Sequence, residues 1–168
     1  MKFKPSYTSS IAEDIMAERL IRAQAVEFLA DAPMRLKSGL ISPVYVDNRK
    51  LFSHPEAWRD IVETMASRVE EYDLEFDIVA GVEAAGSMHA AALAYRLGLP
   101  AIMVRQKAKT YGNHSRIEGG DVKGLRVLLL EDHISTGLSC LDAIRALREE
   151  GAQVTQVMSI TNYAIPET

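Results

Sequence analysis

The chain has 168 residues, of which 48% are hydrophobic and 25% charged, a composition typical of one soluble globular domain. Its formal net charge of −4 at pH 7 argues against nucleic acid as the main partner. A single cysteine excludes an internal disulfide framework, and no apolar stretch approaches the ~18 residues of a membrane span, so we expect a cytoplasmic protein without membrane contact.

The first predicted element is an amphipathic helix over residues 11 to about 30. Ser10 and Glu13 have the spacing of a capping box, which places the start of this helix. The following segment, MRLKSGLISPVYVDNR, predicts two short strand-like pieces separated by turn residues. Ser53 and Glu56 repeat the capping-box spacing and predict a second helix that runs to about Glu71.

From residue 76 onward, short apolar strands alternate with helices. The predicted strands are FDIVAGV, LPAIMV, RVLLL and QVTQVMSI, and the helices between them are AAGSMHAAALAYRL and LSCLDAIRALREE. Continuous apolar strands that alternate with helices indicate a parallel sheet buried on both faces. We therefore expect an α/β fold with a doubly wound, mainly parallel sheet and no boundary between domains.

Polar residues follow three of these strands at their carboxyl ends, where ligands bind in doubly wound folds. They are Glu131-Asp132, the small-residue turn from Gly81 to Glu83, and Arg105. The turn after Val82 is able to approach a phosphate group closely, although many α/β proteins need small residues there for packing alone. We expect the three strand ends to converge on one crevice.

The segment VLLLEDHISTGLS carries the strongest signal of chemistry. A hydroxyl-bearing turn and the start of the next helix form a cradle for an anion, made of Ser135, Thr136, Gly137, Leu138 and Ser139. The carboxylates Glu131 and Asp132 would repel a phosphate unless they face ribose hydroxyls or a magnesium ion. The pattern predicts a sugar-phosphate site. Local physics also allows a second interpretation, in which Asp132 only caps the next helix.

A long polar loop, VRQKAKTYGNHSRIEGG, concentrates cations in about 20 residues. The cations are Arg105, Lys107, Lys109 and Arg116. A mobile cationic lid would close over a polyanionic leaving group, whereas the alternative is a solvated charged loop.

Nearer the N-terminus, Lys37 offers a cation and Tyr45 an aromatic ring. The two side chains would flank a planar anion or, in the alternative interpretation, belong to an ordinary surface hairpin.

Taken together, these stretches resemble the type I phosphoribosyltransferases and, within them, the orotate phosphoribosyltransferases. VLLLEDHISTGLS is similar to the signature that binds 5-phosphoribosyl 1-diphosphate, and the narrower likeness rests on LKSGLISPVYVDNR, FDIVAGVEAAG and VRQKAKTYG followed by RIEGG. The resemblance covers roughly residues 20 to 165. It implies one domain, residues 1–168, in which a helix and a hairpin of residues 1–50, the hood, pack on an α/β core of residues 55–165.

The resemblance implies a reaction in pyrimidine biosynthesis, with magnesium: orotate and 5-phosphoribosyl 1-diphosphate give orotidine 5′-monophosphate and diphosphate. It implies that Glu131 and Asp132 hold the ribose hydroxyls and that residues 135–139 hold the 5′-phosphate. The magnesium ion would be held mainly by the substrate, with these two carboxylates as possible ligands.

The remaining roles also follow from the resemblance. Arg105 and Lys109 would neutralise the diphosphate, which Val82 and Glu83 would line. The resemblance implies four other substrate-binding positions, Lys37, Tyr45, Lys107 and Tyr111. Lys37 would lie near the diphosphate and the base, and Tyr45 would lie beside the orotate ring. The loop of residues 105–120 would reach into the site of a partner subunit, which implies a homodimer with shared active sites.

The chain departs from the family pattern at several positions. Gln106 and Tyr111 stand where the loop often carries lysine and histidine, and His133 and Leu138 are unusual within the phosphate signature. Many relatives also continue past AIPET with another helix and strand. Two alternatives therefore stay open: a sister transferase that acts on a purine or on uracil, and a non-catalytic sensor of phosphoribosyl diphosphate that regulates transcription or a partner.

Overall fold

The computed structural model describes residues 10–35, 39, 41–107 and 115–163. The described part of the hood contains α1 (Ile11–Arg22), β1 (Val26–Phe28), β2 (Met34–Arg35), β3 (Ile41–Ser42) and β4 (Val44–Val46), and a 3-10 helix (Asn48–Ser53) leads from it to the core. β1 pairs with β4 and β2 with β3, both antiparallel, while α1 packs against the first helix of the core. None of the described helices has the length and apolarity that a membrane crossing requires.

The N-terminal helix is shorter than its apolar pattern predicts. The capping box of Ser10 and Glu13 is present, but α1 ends at Arg22 rather than near residue 30. Gln24 has a positive φ of 54°, which stops the helix, and Val26–Phe28 forms a strand paired with β4. The predicted extension to residue 30 is wrong because strand pairing with a distant segment outweighs the local helical period.

The core carries the sheet predicted from the alternating strands and helices. Its elements are α2 (Pro55–Glu71), β5 (Ile78–Val82), α3 (Ala85–Leu97), β6 (Ala101–Val104), β7 (Ile117–Glu118), β8 (Arg126–Ile134), α4 (Leu138–Glu149) and β9 (Gln153–Asn162). The strand order is β7-β6-β5-β8-β9, parallel except for β7. This confirms the doubly wound, mainly parallel sheet and puts its switch point between β5 and β8.

The start of α2 differs from the predicted capping box. The helix begins at Pro55 with His54 at the N-cap position, and the Ser53 hydroxyl donates to the Lys50 carbonyl oxygen at 2.9 Å instead of capping the helix. Proline supplies the start because its fixed φ suits the first helical position, where a backbone N–H would have no partner within the helix.

Buried side chains of β8 alternate between two hydrophobic clusters, one on each face of the sheet. Leu128 and Leu130 pack with α1, α2 and α3, whereas Val127 and Leu129 pack with α4. All four are buried, as the continuous apolar run of the strand predicts. Cys140 is buried in the second cluster, in agreement with a packing role.

Two glycines allow α3 to start close to the sheet. A Cβ on Gly81 would lie 2.4 Å from the Ser87 Cα and 2.5 Å from the Gly86 carbonyl oxygen, both of them backbone atoms. A Cβ on Gly86 would lie 2.8 Å from the carbonyl oxygen of Leu130 on β8. The small-residue turn therefore has a packing function at this junction, whatever it binds.

We expect Gly81→Ala to lower the free energy of unfolding by about 3 kcal/mol, because backbone rather than flexible side chains would have to move. Urea denaturation followed by circular dichroism measures this change. Gly120→Ala is the matched control, since its Cβ would meet only the Ile102 Cγ2 at 3.9 Å. Equal stability of the two variants would contradict the packing argument.

Candidate active site

The acidic pair lies inside a strand rather than beyond its end. The predicted strand RVLLL stops before Glu131, but β8 continues to Ile134. Its partner β9 runs beside it to Asn162, so that Glu131 pairs with Ser159 and Ile134 with Asn162. The expectation that the strand ends at the acids is therefore wrong. The backbone around both carboxylates is held by the sheet, which fixes their position.

Glu131 is the more buried of the two carboxylates, with 4% of its surface exposed, while Asp132 is half-buried. The Ser139 hydroxyl donates to Glu131 Oε2 at 3.0 Å, and the Asp132 N–H donates to Oε1 at 3.2 Å. Burial, followed by the neighbouring Asp132, raises the pKa of Glu131 to about 7. Glu131 therefore links β8 to the start of α4, and Asp132 is the carboxylate closer to solvent.

The turn between β8 and α4 has the geometry of an anion cradle. Gly137 adopts a left-handed φ of 75° at the N-cap of α4 and, as a glycine, brings no side-chain cap. Leu138 is the first residue of the helix, and its side chain is exposed. The positive φ of the turn falls on Gly137, as we expect because leucine, unlike glycine, disfavours a positive φ. Ser135 and Thr136 complete the turn. Uncapped N–H groups at a helix start attract anions.

The end of β5 is fastened to the end of β6. The Glu83 N–H donates to the Val104 carbonyl oxygen at 2.9 Å. Gln106 makes two further bonds to Glu83: its backbone N–H donates to Oε2, and its side-chain Nε2 donates to the carbonyl oxygen, each at 3.1 Å. The amide of Gln106, a departure from the family pattern, therefore joins the base of the cationic loop to the turn after Val82.

Arg105 lies at the base of the long loop with acidic residues around it. Its Nη1 donates to Glu118 Oε1 at 2.9 Å, and its Nε lies 3.9 Å from Glu83 Oε1. The Arg105 N–H donates to the Arg116 carbonyl oxygen at 2.8 Å, and Arg116 Nε donates back to the Arg105 carbonyl oxygen at 2.8 Å. The two ends of the loop are thus clamped together, with the exposed Lys107 just beyond.

The hood contacts the sheet beside the acidic pair. Tyr45 is half-buried on β4, and the preceding residue, Val44, accepts a hydrogen bond from the Tyr163 hydroxyl at 2.8 Å. The buried Asn48 donates from Nδ2 to the Asp132 carbonyl oxygen at 2.6 Å. Sequence analysis missed Asn48 and Tyr163. Asn48 lies in the quoted segment YVDNR, but its partner is 84 residues away, so only the fold reveals the contact.

Three of the predicted site residues, Lys37, Lys109 and Tyr111, lie outside the described residues. Their proposed roles stay predictions. Among the described positions, Glu83 and Arg105 lie together after the ends of β5 and β6, and β5 pairs with β8, the strand of the acidic pair. Tyr45 lies on the hood strand β4.

A groove of about 1150 Å³ lies between α1, α2, β4 and β9 and reaches His133 on β8. Its lining is mainly apolar and includes Met16, Leu20, Met65 and Ile160, but neither carboxylate of the acidic pair nor the turn of residues 135–139. Cavity volume therefore does not locate the charged site. The polar groups at the switch point of the sheet are the better guide to the charged site.

No group of three or more histidine, cysteine, aspartate or glutamate residues in the described ranges has the geometry to hold a metal ion. The donor set near the turn is the pair Glu131 and Asp132, and carboxylate oxygens are ligands that Mg²⁺ accepts. Mg²⁺ usually keeps several waters and binds through one or two carboxylates and substrate phosphates. The pair fits a magnesium ion that a phosphate-bearing substrate brings, rather than a site formed by protein alone.

The raised pKa of Glu131 has a consequence for stability. Between its ordinary value of 4.5 and about 7, the folded protein holds a proton that the unfolded chain has released, so stability falls as pH rises through this window. We expect Glu131→Gln to remove this dependence and to gain about 1–3 kcal/mol relative to the unsubstituted protein between about pH 5 and about pH 8. Urea denaturation at several pH values measures it.

The control for this experiment is Glu63→Gln. The Arg96 guanidinium lowers the pKa of Glu63, so that this carboxyl is ionised in both folded and unfolded states over the same pH range. Its substitution should leave the pH dependence unchanged. Parallel pH profiles of Glu131→Gln and the unsubstituted protein would show that Glu131 is not protonated in the fold.

The chain is similar to known proteins over most of its length. The family model described as a phosphoribosyl transferase domain matches residues 47–167. The chain is 47% identical to an orotate phosphoribosyltransferase of Coxiella burnetii, covering 90% of this chain and 73% of the relative, and 38% identical to that of Bacillus subtilis, covering 95% and 74%. The crystal structure of orotate phosphoribosyltransferase from Aeropyrum pernix superimposes with a TM-score of 0.73 at 28% identity, covering 88% of this chain and 93% of that chain. The chain belongs to the phosphoribosyltransferase family and, within it, to the orotate phosphoribosyltransferases.

Proposed function

We propose that the protein transfers the phosphoribosyl group of 5-phosphoribosyl 1-diphosphate to orotate, giving orotidine 5′-monophosphate and diphosphate. Membership of the family supports the reaction. The observation that carries its assignment to this site is the acidic pair, held in β8 directly before the cradle formed by Gly137 and the start of α4. A carboxylate pair for a sugar beside a cradle for a phosphate suits a phosphorylated ribose.

The proposed division of labour follows the charges that develop in the reaction. Cleavage of the anomeric C–O bond leaves positive charge on the ribose and negative charge on the diphosphate. Asp132, with Glu131 beneath it, holds the ribose hydroxyls, and residues 135–139 hold the 5′-phosphate through backbone N–H groups and hydroxyls. Positioning and electrostatic stabilisation then supply most of the rate, since little covalent chemistry falls to the protein.

The loop and the turn after β5 receive the leaving group in this proposal. Arg105 and Lys109 neutralise the diphosphate, with Lys107 and Tyr111 beside them on the same loop and Val82 and Glu83 below. The position of Arg105 directly after β6, whose end pairs with the end of β5, supports the first role, because ligands of doubly wound folds bind at the carboxyl ends of the strands. In the hood, Lys37 approaches the diphosphate and the base, and Tyr45 packs beside the orotate ring.

Magnesium is the cofactor in this proposal. A bound Mg²⁺ supplies positive charge that offsets the diphosphate. The substrate would provide most of the ligands of this ion. Asp132 and Glu131 would provide the ligands that come from the protein. The half-exposed position of Asp132 supports it as the nearer ligand, because the Glu131 carboxyl is buried against Ser139.

We also propose that the protein acts in the cytoplasm as a homodimer, with the loop of residues 105–120 reaching the site of its partner. Two large apolar side chains on α3 support a partner surface: Met88 is 47% exposed and Tyr95 is 91% exposed, and their spacing of seven residues places them on one helix face. The single cysteine, which is free, agrees with a reducing compartment.

The direct test follows the loss of orotate by its ultraviolet absorbance in the presence of phosphoribosyl diphosphate and magnesium. Uracil, adenine, hypoxanthine and xanthine serve as competing bases. We expect turnover of orotate alone, and a fall in kcat/KM of about a hundredfold or more in Asp132→Asn and in Lys109→Ala, because both act on charge in the transition state.

Lys123→Ala, an exposed lysine outside the site, is the control for Lys109→Ala and should keep full activity. Turnover of a different base would overturn orotate as the substrate while keeping the sugar-phosphate site. Binding of phosphoribosyl diphosphate without turnover of any base would instead favour a sensor.

Shared active sites predict complementation between two inactive variants. A dimer of one Lys109→Ala subunit and one Asp132→Asn subunit contains one site with both native residues and one site with neither. An equal mixture, after subunit exchange, should recover about a quarter of the activity of the unsubstituted protein. Activity that stays at the level of the separate variants, in a mixture shown by native mass spectrometry to contain mixed dimers, would place the loop over its own site.

A further inference from the structure

Asn48 is a polar side chain buried where the hood meets the sheet, with 1% of its surface exposed. Its Nδ2 donates two hydrogen bonds, one to the Asp132 carbonyl oxygen at 2.6 Å and one to the Thr161 hydroxyl at 2.8 Å. Both distances are shorter than the most common donor–acceptor distance of an N–H···O hydrogen bond, about 2.9 Å. One amide therefore joins the hood to β8 and β9 together.

The contact continues through neighbouring side chains. The Thr161 hydroxyl lies 2.8 Å from His133 Nδ1, and the His133 ring packs edge-on against Tyr163 with 4.4 Å between ring centroids. The Tyr163 hydroxyl returns to the hood by donating to the Val44 carbonyl oxygen. The histidine that departs from the phosphate signature thus belongs to a polar connection between the last residues of β9 and the hood.

These contacts hold the backbone of the proposed site in place, and none of them uses the Asp132 carboxylate. Asn48 holds the carbonyl oxygen of Asp132, so it restricts the backbone from which the Asp132 carboxylate projects. The same residue follows β4, which carries Tyr45 three positions earlier. The sugar-binding carboxylate and the strand of the proposed base-binding ring are therefore fixed to each other through this buried amide.

We propose that Asn48 is a positioning residue that aligns Asp132 with the ribose and fixes the hood relative to it, with Thr161 as its partner. This rests on the proposed function only in assigning the ribose to Asp132 and the base to Tyr45. A residue that merely stabilises the fold would weaken every ligand alike. A positioning residue weakens the ligands that reach Asp132 and spares those that reach only the phosphate cradle.

Three probes separate these cases by calorimetry: inorganic phosphate, which fits the cradle alone, ribose 5-phosphate, which adds the hydroxyls, and orotidine 5′-monophosphate, which adds the base. Asn48→Leu keeps the branched shape of the side chain and removes the donor. We expect its Kd for ribose 5-phosphate to rise about tenfold, with at least the same rise for orotidine 5′-monophosphate, and its Kd for inorganic phosphate to change by less than about twofold.

Thr161→Val and Thr161→Ser form a second, milder pair that decides the question where Asn48→Leu does not fold. The valine removes the hydroxyl at constant shape, whereas the serine keeps it. We expect Thr161→Val to lose affinity for ribose 5-phosphate selectively, and Thr161→Ser to recover most of that loss. An equal loss for phosphate and ribose 5-phosphate, or no loss for either, would overturn the positioning role.

Turnover of orotate by the unsubstituted protein tests the proposed function separately. If orotate is not consumed and orotidine 5′-monophosphate binds no better than ribose 5-phosphate, the base assignment fails. The contrast between phosphate and ribose 5-phosphate still decides the role of Asn48, because neither probe contains a base.

Discussion

The pairing of β8 with β9 beyond the acidic residues is the constraint on which the site depends. In many doubly wound folds a functional carboxylate follows the strand, on a loop. Here the ladder runs on to Ile134 and Asn162, so that Glu131 and Asp132 have the rigidity of a sheet. The turn of residues 135–137 then starts from a fixed point, and α4 begins directly after it without a side-chain cap on its first N–H groups.

Close packing around this strand sets the electrostatics of the pair. Gly86 allows α3 to reach the Leu130 carbonyl oxygen, and Ser139 covers Glu131 from the side of α4. The resulting burial raises the pKa of Glu131, while Asp132 stays half-exposed. Two adjacent carboxyls thereby acquire different properties from their surroundings. One is suited to hold the local structure together and the other to meet a ligand.

The departures from the family pattern have structural explanations where the residues are described. Gln106 stands where the resemblance leads us to expect a cation, and it binds Glu83 twice, which joins the base of the loop to the end of β5. His133 contacts Thr161 and Tyr163, and Leu138 is accommodated because Gly137 takes the left-handed conformation. At Gln106 the side chain thus makes contacts within the protein where a cation is expected, and at His133 and Leu138 the neighbouring residues accommodate the side chain.

The sequence by itself determined the fold class, the start of α1, most of the core helices, and the segments that converge on the crevice. Apolar alternation and helix caps are local signals, readable within a few residues. The tertiary structure decided the end of α1, the length of β8 and the burial of Asn48. Each of these depends on a partner far along the chain: β4 for Val26–Phe28, β9 for the acidic strand, and Asp132 for Asn48. Local patterns carry no information about such partners, because pairing and burial arise only when distant segments meet.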